Sequence, residues 1–587
     1  MDQKRLLLAI SISLAIMVIF QVVIDRFLPH PAPTPASVAG SPASTAGRPQ
    51  AAAAAGAPGT AQTAPTVAGP RLAINTPNIA GSLSLTGAVL DDVRLKAYRE
   101  TRDKNSPLVE ILGRRDGDKP FYAQFGWTNP AGGNTAVPTD NTLWTASATT
   151  LTPDAPVTLS WDNGAGVIFQ LVLSVDNDFM FTVKQQVINK TAAPIKLFPW
   201  SRVARDYMPT EKTSYILFEG PLGVFNGTLH QVSYSSTKSD GTRAPDGTAY
   251  NETSNGGWIG ITDKYWLTAL VPDQSANLSG NVRYLPTPLG EGHAYQTDFI
   301  TTAPETIAPG ATSTDQMRLF TGAKVVKTLD AYMAQYNIPS FDKSVDFGHL
   351  YIITKPIFFA LDWLNGILGN FGLAIMAFTI GVKLLFFPLA SYSYRSMGKM
   401  KAAAPKIKAI KEKYKDDNTK VQQETMALYK AEKINPASGC LPMLVQIPVF
   451  FALYKVIYIT IEMRQAPFYG WIHDLSAPDP TNIFNAFGLI PFDPSTLSPF
   501  LALGALPIIM GFTMFLQQRL NPAPPDPVQA RMFQFMPIIF TFMLARFPAG
   551  LVLYWTWNNL LSVGQQWLIM RRAAAPVASR PSPVVRT

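Results

Sequence analysis

A lysine, Lys383, sits inside an oil-like run from Phe371 to Leu389, a run long enough to cross a bilayer. A cation at the centre of a spanning helix costs about 2.5–3.5 kcal/mol on insertion scales. A chain that carries this cost needs a polar place for the ammonium, or a surface within reach. Ser391 lies roughly 12 Å further along at about 1.5 Å per residue, so snorkelling just reaches it. A polar cavity is the other reading.

Hydropathy divides the 587 residues into two materials. Residues 71–340 read as a soluble domain and 341–572 as membrane. Ahead of them, Lys4 and Arg5 precede an apolar run from Leu6 to Ile24. A signal-peptide core is shorter, ~7–15 residues, and the cleavage-like Ser37-Val38-Ala39 lies well beyond the run. Residues 1–28 are therefore expected to be an uncleaved signal-anchor helix with a cytoplasmic N-terminus. Residues 29–70 are rich in Pro, Ala, Gly, Ser and Thr, and are expected to be a disordered linker. Cys440 is the single cysteine, so no internal disulfide is possible.

From Arg71 the pattern turns to strands. Val157–Trp161 alternates, Asn163-Gly164 is a hairpin signal, and Val167–Val175 and Phe179–Val183 follow. Further turns are expected at Asp240-Gly241 and Asp246-Gly247. Short strands at this spacing predict a large all-β antiparallel sandwich. Its histidines are too scattered for a metal site.

The membrane part is expected to hold an interfacial helix at 347–363, where Asp346, His349, Lys355 and Asp362 mix with apolar residues. Spans are expected at about 371–389, 441–461, 499–516, 532–547 and 550–570. The run at 532–547 is short for a ~30 Å core; either its ends extend or the bilayer thins there. Starting inside, the first span places the β-domain outside. The later turns then place Arg395–Lys433, Arg519, Arg531 and Arg571-Arg572 in the cytoplasm, with Arg546 the one exception to the positive-inside bias. The net charge of +9 lies beside apolar spans, not in an aromatic-interleaved patch. It points to anionic lipid, with no nucleic-acid specificity. The tail, 573–587, is short.

Residues 391–435 predict a cytoplasmic helical hairpin. Met400, Ala403, Ile407, Ile410 and Tyr414 form a seam in steps of three and four, and Val421 and Leu428 return it. Lys399, Lys406, Lys413 and Lys420 cover another face, and Asp416-Asp417 makes the turn. The hairpin is either a solvated loop whose lysines enforce topology, or a landing surface for ribosomes, lipid or emerging chains.

No phosphate loop, zinc motif or nucleophile elbow is present, so the chain is not expected to be an enzyme or to need a cofactor or metal. The later spans have no internal aspartate or glutamate, which argues against a proton relay. Lys455, their other internal cation, is expected to snorkel outward. Thr379, one turn before Lys383, shares its face. Gln446, Asn558, Asn559, Gln565 and Gln566 add polar groups from other spans. They either converge on a wet groove or each make an interhelical hydrogen bond.

Several phrases occur together: Asn435-Pro436 with Gly439-Cys440 and Pro442, Gln446-Ile447-Pro448, Ala452-Leu453-Tyr454, Arg464-Gln465-Ala466-Pro467, Trp471 to Leu475, and Phe547-Pro548-Ala549-Gly550 running on to Tyr554. Over about 341–570 this resembles the YidC/Oxa/Alb family of membrane protein insertases. The resemblance implies a multi-domain protein of the bacterial inner membrane. It would have a polytopic α-helical core of five helices plus the N-terminal anchor, and a groove open to cytoplasm and lipid. It implies that Lys383 stands where the family usually has arginine, a departure that keeps the charge and loses the bidentate fork. It implies client-helix contacts at Ile447, Pro448, Phe450, Tyr554 and Trp555, and a hairpin that includes Tyr394. The implied partners are nascent membrane proteins, the ribosome, and the Sec translocon with its accessory proteins. Two alternatives predict different outcomes. A secondary transporter or channel predicts solute flux. A periplasmic assembly scaffold predicts total loss of insertion when residues 71–330 are deleted.

Overall fold

A computed structural model describes residues 69–209, 217–286, 293–415, 417–435, 441–492, 494–497, 501–521 and 527–574. The expected anchor, nearly all of the linker, Asp416, most of the Asn435–Pro442 phrase and most of the tail lie outside these residues.

The N-terminal half is a sandwich of an eleven-stranded and a nine-stranded sheet. Among the described residues every strand pairing is antiparallel except Ala73-Ile74 with Thr150-Leu151. The hairpin forms as its turn chemistry demands. Val157–Asp162 pairs with Val167–Val175, which pairs with Met180–Asn189. Asn163 Oδ1 accepts from the N–H groups of Ala165 and Val167, and Gly164 takes φ +71°. Along Val167–Val175 every second side chain is buried. These inward residues meet the other sheet, with the Phe169 ring 5.1 Å from that of Trp127.

The expected turn at Asp240-Gly241 is a helix instead: α1, Tyr234–Arg243. Ser233 caps it, its Oγ accepting from Ser236 N at 3.0 Å. Gly241 is tolerated because the helix lies flat on the sheet. A Cβ there would come within 2.6 Å of Tyr284 Cβ. Close packing, not turn geometry, requires the glycine. Asp246-Gly247 does turn, with Gly247 at φ +73°.

Helix α2 (Val326–Tyr336) and a short 3₁₀ turn (Phe341–Ser344) lead out of the sandwich. Phe341 is fully buried edge-on to Trp258 and Phe320. Then come α3 (Tyr351–Leu368), α4 (Phe371–Leu385), α5 (Phe387–Lys413), α6 (Asn418–Ala431), α7 (Leu441–Ile459), α8 (Ala505–Leu520), α9 (Pro527–Leu544) and α10 (Ala549–Ala574). The amphipathic helix expected at 347–363 thus starts and ends later. Gly348 at φ +73° and the Asp346 turn precede it.

The run 371–389 is not one helix. It breaks at Phe386, and α4 and α5 meet at a 68° bend. Phe387-Pro388 opens α5, and proline suits a first helical turn because it has no N–H to leave unpaired. By length and composition only this bent pair is apolar enough to cross a membrane; among the described residues no single helix is.

One apolar cluster runs from the sandwich through Phe341, Phe347 and Phe358 into Leu453, Ile457 and Leu551. Polar contacts reinforce the junction. Arg464 donates to the Arg99 carbonyl at 2.7 Å, and Val326 N–H donates to Glu462 at 3.0 Å. Lys455 does not simply snorkel. Its Nζ is 2.9 Å from Asp346 Oδ2.

Candidate functional site

Lys383 lies in the last turn of α4, just before the bend. The bend turns α5 away and leaves a gap beside the lysine, which α7, α8 and α10 wall in. The resulting cavity measures about 210 Å³. Lys383, Tyr394 and Met397 come from α4 and α5; Pro442, Gln446, Ile447 and Phe450 from α7; Gln517 and Asn521 from the end of α8; and Trp555, Asn558, Asn559 and Ser562 from α10. A smaller adjoining cavity, about 40 Å³, shares Lys383, Tyr394 and Gln446 and adds Gln565.

The ammonium of Lys383 donates to Ser562 Oγ at 2.8 Å, and that hydroxyl donates to the Asn558 carbonyl at 2.7 Å. The buried Tyr394 lines the same cavity as Ser562. Among the described residues no carboxylate lies within ion-pairing distance of Lys383. Its charge is held by dipoles alone. Further polar atoms are buried without a partner among the described residues: Asn558 Oδ1, both ends of the Gln565 amide, and Trp555 Nε1. Each such atom costs about 1–3 kcal/mol if left dry. A polar cavity of this size has room for water or an incoming polar group to satisfy them.

The structure therefore brings Lys383, Gln446, Ile447, Phe450, Trp555 and Asn558 to one cavity, with Gln565 next door. Other expected residues sit elsewhere. Thr379 is buried and its hydroxyl donates to its own helix, to Ile375 O at 2.6 Å. Sharing a face with Lys383 does not bring it to the cavity. Pro448 is half-buried within α7 and does not line it. Tyr554 is 1% exposed and receives the Gln446 amide. Ile447 lines the cavity while staying partly exposed, Phe451 faces outward, and the Phe450 ring packs 5.3 Å from Trp555. Ser562 was not anticipated, although it lies one turn after Asn558 on the same helix face. Gln517 and Asn521 carried no signal.

Helix α5 packs through Ala403 and Ile407 against Tyr429 of α6 and Ile434 just beyond it, with Met400 and Leu428 beside them. Lys406 pairs with Glu432 at 2.6 Å, and Asp417 caps α6 through Lys420 N–H at 3.0 Å. Lys399 is exposed, and Lys413 and Lys420 both lie over the Tyr414 ring. Among the described residues no His, Cys, Asp and Glu group is arranged to hold a metal.

Residues 71–360 match the family described as YidC periplasmic domain, and 363–576 match that described as 60Kd inner membrane protein. The membrane protein insertase YidC of Granulibacter bethesdensis is 56% identical, over 98% of this chain and 99% of its own. That of Acidiphilium cryptum is 55% identical, over 99% of both. A crystal structure of an active YidC insertase covers 86% of this chain and 94% of its own, at 17% identity and a TM-score of 0.33. The chain belongs to the YidC family of membrane protein insertases.

Proposed function

We propose that this chain inserts membrane proteins by offering a hydrated, cationic groove part-way into the bacterial inner membrane. In this reading the bent α4–α5 pair, α7, α8, α9 and α10 form the spanning core, the sandwich is periplasmic, and the α5–α6 hairpin is cytoplasmic. Support comes from the surface. Leu384, Leu385, Phe512, Met532, Ile539 and Trp567 are all more than half exposed, a distribution that suits lipid as solvent. The observation that carries the mechanism is Lys383, a cation bound only to a hydroxyl, in a polar cavity between apolar helices.

Moving a polar tail through lipid incurs a large desolvation cost. The cavity lowers it by supplying Asn558, Gln446 and Gln565 as partners, and Lys383 attracts acidic residues of the incoming segment. The hairpin lysines capture the chain as it leaves the ribosome. Its apolar stretch then slides past Ile447, Phe450 and Trp555 into lipid. Partitioning drives the step, aided by the membrane potential at ~2.3 kcal/mol per charge per 100 mV. No bond is made or broken by the protein. It works alone or beside the Sec translocon.

Photocrosslinking tests this. Probes at Ile447 and Phe450 are expected to capture a stalled nascent membrane protein, and a probe at the buried Thr379 is not. Equal capture at all three positions, or at none, would contradict the groove.

A further inference from the structure

A second cavity, about 610 Å³, opens where the sandwich meets the helices. Its floor is apolar, with Val345 and Phe347 fully buried and Phe218 beside them. Its rim carries two exposed basic side chains, Lys343 and His349. The one carboxylate inside, Asp346, is already satisfied. It takes Lys455 Nζ at 2.9 Å and the N–H groups of Phe218 and Gly348, each at 3.1 Å. Among the described residues neither Lys343 nor His349 makes an ion pair. Helix α3 begins on the cavity wall at Tyr351 with no side-chain cap, so its first turn adds partial positive charge.

We propose that this cavity binds the phosphate headgroup of an anionic phospholipid from the outer leaflet. The proposal rests on the membrane reading above, in which α3 lies in the outer interface. The basic rim and the helix N-terminus match a phosphodiester. The apolar floor matches the glycerol and the start of the acyl chains, which free phosphate lacks. The volume falls in the range of small-molecule sites, ~300–1,000 Å³. The flanking α3 exposes Ile352, Trp363 and Ile367, so an entering lipid meets apolar surface below its headgroup.

The test uses the full chain in vesicles, with fluorescent phosphatidylglycerol or phosphatidylcholine as probe and retention after purification as readout. Phosphatidylglycerol is expected to be retained over phosphatidylcholine. The double variant Lys343→Glu/His349→Glu is expected to weaken that retention about tenfold, and Lys343→Arg/His349→Lys to preserve it. Gln231→Trp, which fills the mouth without changing charge, is expected to weaken it too. Lys184→Glu reverses an exposed charge on the sandwich strand Met180–Asn189, away from the cavity, and is expected to leave retention intact. Equal retention of the two lipids, an equal loss in Lys184→Glu, or full competition by glycerol 3-phosphate overturns the site while leaving the insertase reading standing. A chain that fails to integrate into vesicles at all overturns both.

Discussion

Asp346 joins the sandwich to α7, and its loss should loosen the two halves of the molecule. The carboxylate accepts from Lys455 Nζ, Phe218 N and Gly348 N. A hydrogen bond to a charged group contributes about 1.5–3 kcal/mol. Both side chains of the ion pair are about one-fifth exposed, so the lower end applies. The two amide bonds add about 1 kcal/mol each. Asp346→Ala should therefore cost about 3.5 kcal/mol. Lys455→Met, which leaves both amide bonds in place, should cost about 1–2 kcal/mol. Because the two residues touch, the double variant should show a coupling of about 1–2 kcal/mol. Urea titration in detergent, followed by tryptophan fluorescence, measures all three quantities. Asp346→Ala costing less than about 0.5 kcal/mol, or strictly additive variants, would refute the reasoning.

Three further outcomes follow from the same kind of accounting. Burial pushes the Asp206 carboxyl up from 3.8 to about 6, against the pull of Arg115 and Arg202. A raised carboxyl favours the folded state most below its unfolded value and loses that contribution as pH rises through about 6. Asp206→Asn should thus be more stable than the parent at pH 8 by about 1–2 kcal/mol, with the gap closing below pH ~4 in urea midpoints. Tyr332 ties α2 to the strand turn, donating to Asp176 at 2.5 Å and accepting from Phe179 N at 3.2 Å. Tyr332→Phe should cost about 1–2 kcal/mol by thermal unfolding. Tyr429 is the most protected residue of the α6 seam, so Tyr429→Ala should cost about 2–4 kcal/mol of local stability. Hydrogen exchange should report it over 395–431 and leave the sandwich unchanged.

The parts legible in the sequence were those where one local signal decides the outcome. Asn163-Gly164 between alternating strands is such a signal, and that hairpin forms in register. Lys383, Gln446 and Asn558 stood out because a polar residue in an apolar run needs a partner. What failed depended on distant neighbours. Asp240-Gly241 looks like a turn until Tyr284 is seen against Gly241. Lys455 looked like a snorkelling cation because Asp346, its partner, is remote in sequence. The break at Phe386 was signalled by Pro388, but hydrophobicity alone read straight through it. Thr379 shows that helical spacing sets a face and leaves the rotamer free. Its hydroxyl turns back to Ile375.

The central claim is that the charge of Lys383 draws acidic client segments into the cavity. The direct measurement is insertion of a short client with an acidic N-terminal tail into proteoliposomes, comparing Lys383 with its Arg, Ala and Glu variants. Arginine should insert as well as lysine, alanine should lose about tenfold, and glutamate should lose more, with a neutral-tailed client spared. Unchanged insertion of the acidic client by both the Ala and Glu variants would contradict the account.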